Sequence, residues 1–290
     1  MTIAKILAPI TGSKRDANVL ATAIAAARPF NAHVSALFVR RDARESVPYA
    51  DYGLPLSPEI IQELIDDSEF MAKSASRAAR TALATTADKA GIKIIGKMEC
   101  GDAVTASYHE ITGHFRDRVP EAAMLSDLVV FAPVLASDSP DLGETLIATI
   151  TKCGRPILLS PESPPQKIGR RIAIGWDGGQ AAAHALIAAM PFLERAERIE
   201  LFSVQQSPVR GSRCADAAEY LRLHRLSCAE RDIEQGVAGT GEKLLAEAAA
   251  SGADLLVIGG YGHSRLRETV FGGATVHIIS HATMPVLLVH

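Results

Sequence analysis

The residues best suited to chemistry lie in one glycine-rich segment late in the chain. It runs from Gly259-Gly260-Tyr261-Gly262-His263-Ser264-Arg265 through Arg267 to Gly272-Gly273-Ala274-Thr275. Glycines without a Cβ let backbone N–H groups approach an anion, and a helix starting at the end of such a segment adds the positive end of its dipole. Arg265 and Arg267 add donors for charge-assisted hydrogen bonds. On spacing alone, a tight turn explains the glycines equally well. Neither GxxxxGK[ST] nor GxGxxG occurs in the chain, which argues against a P-loop hydrolase and a dinucleotide enzyme. His263-Ser264 sets an imidazole beside a hydroxyl, yet adjacent residues seldom have triad geometry and no G-x-S-x-G elbow surrounds them. His277 and His281 share a helix face with no further metal ligand in view, so a helix-surface role is expected. His109 and His114 near Asp117, expected on a helix, are not assigned acid–base work, and Asp66-Asp67-Ser68-Glu69 reads as a solvated helix face.

The elements that must hold this segment follow from the pattern around it. In the second half, short Val/Ile/Leu-rich runs alternate with stretches of helical period, which reads as βαβ units around a parallel sheet covered by helices. Strands are expected near 171–176, 199–204, 227–233, 254–259 and 285–289, and helices near 180–194, 215–224, 240–251 and 269–282. The first half repeats the order. Lys5-Ile-Leu-Ala-Pro-Ile-Thr11-Gly12 matches Arg171-Ile-Ala-Ile-Gly-Trp-Asp177-Gly178, and Ser126-Asp-Leu-Val-Val-Phe131 matches Ala253-Asp-Leu-Leu-Val-Ile258. Arg155-Pro-Ile-Leu-Leu159 matches Met284-Pro-Val-Leu-Leu288. With His33–Val39 matching Ile199–Val204, Leu37-Phe38 opposite Leu201-Phe202, four segments recur in one order and define a tandem repeat. Pro161-Glu-Ser-Pro-Pro-Gln166 separates the copies and continues neither a helix nor a strand. The first half adds a long helix over Ser57–Ala90, a third strand over Lys93–Cys100 and an irregular excursion from Arg41 to Leu56. Trp176 alternates away from Asp177 and is expected to pack.

Gly259, two residues, Gly262, nine residues and Gly272 resemble the G-x2-G-x9-G-[S/T] loop of the universal stress protein family. Together with Asp177 and the repeat, the whole chain resembles a tandem-domain member. The resemblance implies two open parallel five-stranded sheets flanked by helices, Rossmann-like, in domains 1–160 and 167–290. Known members bind ATP or AMP in one or both domains, or no nucleotide, and act in stress survival chiefly as nucleotide-responsive regulators. Carried over, Asp177 faces ribose or a phosphate-bound Mg²⁺, and Val204 lies near adenine. Gly259, Gly262 and His263 line ribose and phosphates, and Gly272, Gly273 and Thr275 close the phosphate site. No catalytic residue and no resident metal ligand is implied. The final strands, Ile157–Leu159 and Val286–Val289, resemble those through which members dimerise, so the halves are expected to mimic a dimer, with a homodimer of whole chains beyond that.

This chain departs from the pattern at several positions. Gly273 stands where the family has Ser or Thr, which removes one hydroxyl donor to phosphate; Thr275 replaces it only if the turn presents it. In the first half Thr11 replaces the aspartate, Ala132 and Leu135 replace two glycines, Pro133 has no N–H to offer, and only Gly143 survives, opposite Gly272. That half is expected to serve as a structural partner or to carry another ligand. The leading expectation is a stress-response regulator or sensor that binds an adenine nucleotide in its second half. A non-nucleotide carrier or dimeric scaffold, and a slow ATPase, are the alternatives; the ATPase lacks a placed general base.

Composition bounds these readings. The 290 residues are 48% hydrophobic and carry a formal charge of −3, enough for one core per half. Through Pro165 there are 17 basic and 20 acidic residues and 13 of each after it, so neither half has the basic excess of a nucleic-acid surface. No apolar run reaches the roughly 18 residues of a membrane span, and the opening lacks the pattern of a signal peptide. Cys100, Cys153, Cys214 and Cys228 are scattered, as expected of reduced thiols in a cytoplasmic protein.

Overall fold

The computed structural model describes residues 2–43, 57–96, 101–134, 140–204, 213–233, 239–260 and 273–290. The first half runs β1 (Lys5–Ile10), α1 (Asp16–Ala27), β2 (His33–Arg40), α2 (Pro58–Ala90), β3 (Lys93–Ile94), β4 (Thr105–Thr112), α3 (Phe115–Ala123), β5 (Leu128–Phe131), α4 (Pro140–Cys153) and β6 (Ile157–Leu159). The second runs β7 (Arg171–Trp176), α5 (Gln180–Leu193), β8 (Arg198–Val204), α6 (Cys214–Leu223), β9 (Ala229–Ile233), α7 (Thr240–Ala250), β10 (Leu255–Gly259), α8 (Gly273–His281) and β11 (Val286–Val289). Central strands such as Leu128–Phe131 and Val286–Val289 are buried at every position, because helices cover both faces of the sheet.

All the strands form one sheet in the order β3-β4-β2-β1-β5-β6-β11-β10-β7-β8-β9. Each half has the same internal plan: its first strand lies between its second and its next-to-last, and its last strand lies beyond the next-to-last. The two expected five-stranded sheets are thus continuous, and the first gains the two-residue β3. The join is the antiparallel pair β6–β11, with Leu159 opposite Val286, Leu158 opposite Leu287 and Ile157 opposite Leu288. Every other pair in the sheet is parallel. Leu158 and Leu287 are repeat counterparts, so a local two-fold axis passes between them. All six side-chain positions are buried, giving the join an apolar seam.

Two expectations need correction. Of the strand expected over Lys93–Cys100, only Lys93–Ile94 is a strand, and residues 97–100 lie outside the described set. The pairing partner of β2 is β4, Thr105–Thr112, in register from His33–Thr105 to Arg40–Thr112. His109 therefore sits on a strand, not a helix, and His114 precedes α3. The excursion is described only over residues 41–43, since 44–56 lie outside the described residues.

α2 is the main asymmetry between the halves. Pro58 at its first position and the Ser57 hydroxyl, which accepts from the Ile60 N–H at 3.4 Å, start it; Gly91 at φ +67° ends it. Its 33 residues carry it over the carboxyl ends of β1 and β2, whereas α6 has 10.

Candidate functional site

In an open parallel sheet, ligands bind beyond the carboxyl ends of the strands where strand order reverses. In the second half that point lies between β7 and β10. The register brings three of the expected residues to it. Trp176 pairs with Ser203, so Asp177 and Val204 end adjacent strands, and Gly259 follows the Ile258–Gly175 pair on the other side. Trp176 itself is buried in the core, as alternation requires.

Asp177 is exposed and its turn is preset. The Gly179 N–H donates to Asp177 Oδ1 at 2.8 Å, and Gly178 at φ +76° makes the bend into α5. Gly259 is required for packing: a Cβ there would lie 2.5 Å from the Ala181 carbonyl carbon and the Ala182 nitrogen, both backbone atoms of α5. Gly273 differs. It opens α8, is exposed, and a Cβ there meets nothing within 4 Å among the described residues. Thr275, two residues further, is buried on the packed face of α8. Gly262, His263 and Gly272, with Arg265 and Arg267, lie outside the described residues.

The first half uses the same location differently. Thr11-Gly12 keeps the bend of Asp177-Gly178, with Gly12 at φ +82°, but the N–H groups of that loop already hold an anion. The Asp16 carboxylate accepts from the Gly12 N–H at 2.7 Å and the Thr11 N–H at 3.1 Å, and from the Thr11 and Ser13 hydroxyls at 3.3 and 3.2 Å. It is buried, and desolvation raises its pKa against those lowering hydrogen bonds. Arg15 then reaches across the carboxyl ends to donate to the Pro133 carbonyl at 2.9 Å. Gly143 lies in the first turn of α4 and not in a loop before it. Sequence reasoning passed over Asp16; its signal was an acidic residue at the first position of a helix, three residues after Ser13 in a turn.

His277 and His281 stack at 4.2 Å with His281 Nδ1 2.9 Å from its partner's carbonyl, and no cluster of three metal-ligating side chains occurs among the described residues. Asp66 pairs with Gln62 and Glu69 with Lys73 along the α2 surface. His33 is held between the Thr105 and Ser107 hydroxyls, each at 2.8 Å, and Ser107 also meets His109 at 2.9 Å. Cys153, Cys214 and Cys228 are free thiols; burial and the acidic Glu230 and Asp232 push Cys214 up to about 12, which favours its protonated form.

Among the described residues no helix is long and apolar enough to cross a membrane. The family model for the universal stress protein family matches residues 169–290. A universal stress protein of Synechocystis sp. is 24% identical over 246 residues, covering 81% of this chain and 80% of that protein. A universal stress protein of Archaeoglobus fulgidus superposes with a TM-score of 0.62 at 14% identity, over 98% of this chain and 95% of that one. A putative universal stress protein of Pseudomonas aeruginosa gives 0.59 at 14% identity, over 99% and 93%. These two share the fold over nearly the full length of both chains. Residues 169–290 thus match the universal stress protein family, and the chain as a whole is similar in fold to solved members of it.

Proposed function

We propose that the second half binds an adenine nucleotide, ATP or AMP, in the crevice between β7 and β10, and that the chain acts as a cytoplasmic stress-response regulator or sensor. One observation carries the reading: Asp177, Val204 and Gly259 end three neighbouring strands at the point of strand-order reversal, and the chain then passes through a glycine-rich segment to the N-terminus of α8. The residues fit the ligand's chemistry. Asp177 offers an exposed carboxylate to ribose hydroxyls or to Mg²⁺ accompanying ATP, and the strand end at Val204 offers backbone groups to adenine. Gly259, Gly262, His263, Gly272 and Gly273 offer N–H groups to phosphate, with Thr275 behind them. No general base is assigned, so the role is binding and not turnover.

In this reading the units 1–160 and 167–290 are separate domains, one retaining the site and one having lost it. A homodimer of whole chains uses a surface other than β6 and β11, since those strands are interior to the sheet. Titration calorimetry with ATP and AMP, with and without Mg²⁺, tests the reading. Binding that weakens in Asp177→Ala supports it; no heat at millimolar nucleotide rejects it.

A further inference from the structure

We infer that the first half holds a second, unlike ligand: an amphipathic small molecule with an apolar body and one carboxylate. At the carboxyl ends of β1, β2 and β5 lies a cavity of about 470 Å³. It occupies, in the first half, the position that the β7–β10 crevice occupies in the second. Its volume falls within the roughly 300–1,000 Å³ of small-molecule sites. Its walls are apolar: Phe38 and Phe131 from the strand ends, Phe115 from α3, Leu142 from α4, and Met71 and Ala72 from α2. α2 closes this side, packed so tightly that a Cβ on Gly12 would lie 2.5 Å from the Ala75 carbonyl oxygen.

The polar groups select the ligand's charge. Arg15, Arg40 and Arg41 line the cavity against two carboxylates, Asp16 and Asp141. Asp141 pairs with Arg41, and Asp16 is covered by the N–H and hydroxyl donors of its own loop. Arg40 lies 3.9 Å from Glu110, a loose contact. The three arginines of the lining outnumber its two carboxylates by one, and Arg40 stands at its polar end. A nucleotide is disfavoured here by the same features. The N–H groups of Thr11 and Gly12 that would meet a phosphate already hold Asp16, and Pro133 supplies none. One carboxylate on an apolar body matches what is left.

Binding of the neutral dye 1-aminoanthracene to the full chain, with competition by decanoate, decanol and ATP, tests this independently of the second site. The expected result is one bound dye displaced by decanoate, about tenfold less well by decanol, and not by ATP. Arg40→Gln removes the preference for decanoate over decanol. Ala72→Trp fills the cavity and abolishes dye binding without loss of the cooperative thermal transition. Met71→Trp, at an exposed position on the cavity wall, transfers excitation energy from its indole to the bound dye. Undiminished dye binding in Ala72→Trp, displacement by decanol as strong as by decanoate, or displacement by ATP overturns the inference. If Ala72→Trp fails to fold, absence of energy transfer in Met71→Trp overturns it in its place.

Discussion

Gly273→Ser isolates the one hydroxyl that separates this site from the family's pattern. Among the described residues a Cβ at Gly273 meets no neighbouring group within 4 Å, and the residue is exposed at the first position of α8. A hydrogen bond to a charged acceptor contributes about 1.5–3 kcal/mol, so the serine should tighten ATP or AMP binding by roughly one to two decades. A second effect has to be separated from it. Replacing glycine in a helix stabilises the free protein by a few tenths of a kcal/mol whatever the hydroxyl does. Gly273→Ala is the control, since it adds the Cβ and helix propensity without the donor. Calorimetry on the three proteins at fixed Mg²⁺ should rank them serine tighter than glycine and alanine, with alanine within about threefold of glycine. Serine and alanine binding alike would refute the argument that a hydroxyl at this turn reaches phosphate.

Three further outcomes are expected. Gly259→Ala drives a Cβ into the α5 backbone and should destabilise the fold by about 1–3 kcal/mol, seen as a lower urea midpoint at unchanged slope; an unchanged midpoint means the strand end and α5 can part freely. Asp16→Ala leaves the Thr11 and Gly12 N–H groups without their acceptor and should cost about 1–3 kcal/mol in the same assay, whereas the equivalent loss at exposed Asp177 should cost little stability. His33, whose pKa is lowered chiefly by burial and then by His109 and Lys5, resists protonation in the folded state. Its contribution is complete above its ordinary value of 6.5 and is lost as pH falls from there through the depressed folded value. A melting series across that window should show the fall, and His33→Gln should flatten it; an identical slope in the variant removes His33 as the cause.

The second half was legible nearly strand by strand, because buried parallel strands read as apolar runs: Arg171–Trp176 was bounded without error and β8, β10 and β11 within a residue. β4 was not legible. Its Thr-Ala-Ser-Tyr-His-Glu-Ile-Thr sequence is half polar and only partly buried, so it lacks the apolar run, while the neighbouring Ile92-Lys-Ile-Ile95 has one but forms only two residues of strand. At the site, the residues ending strands were readable from repeat and spacing. The reason for Gly259 was not: a phosphate loop suggests backbone access to an anion, and the structure adds contact with α5. The first-half cavity was hidden for another reason. Phe38, Met71, Phe115 and Phe131 are far apart in sequence and read singly as core, and only the length of α2 brings them around one space.

The antiparallel seam at Leu158 and Leu287 has a consequence for how such a molecule diverges. In a two-fold assembly of identical chains, any substitution is written into both sites at once, and a change that ruins one ruins the other. Here the partner strand is supplied by the same polypeptide, at an effective concentration far above that of a separate chain. Dilution cannot dissociate the pair and exchange cannot shuffle it, so a gain on one side is inherited without being imposed on the other. The departures at Thr11, Ala132 and Asp16 are changes that a pair of identical chains would have had to accept twice.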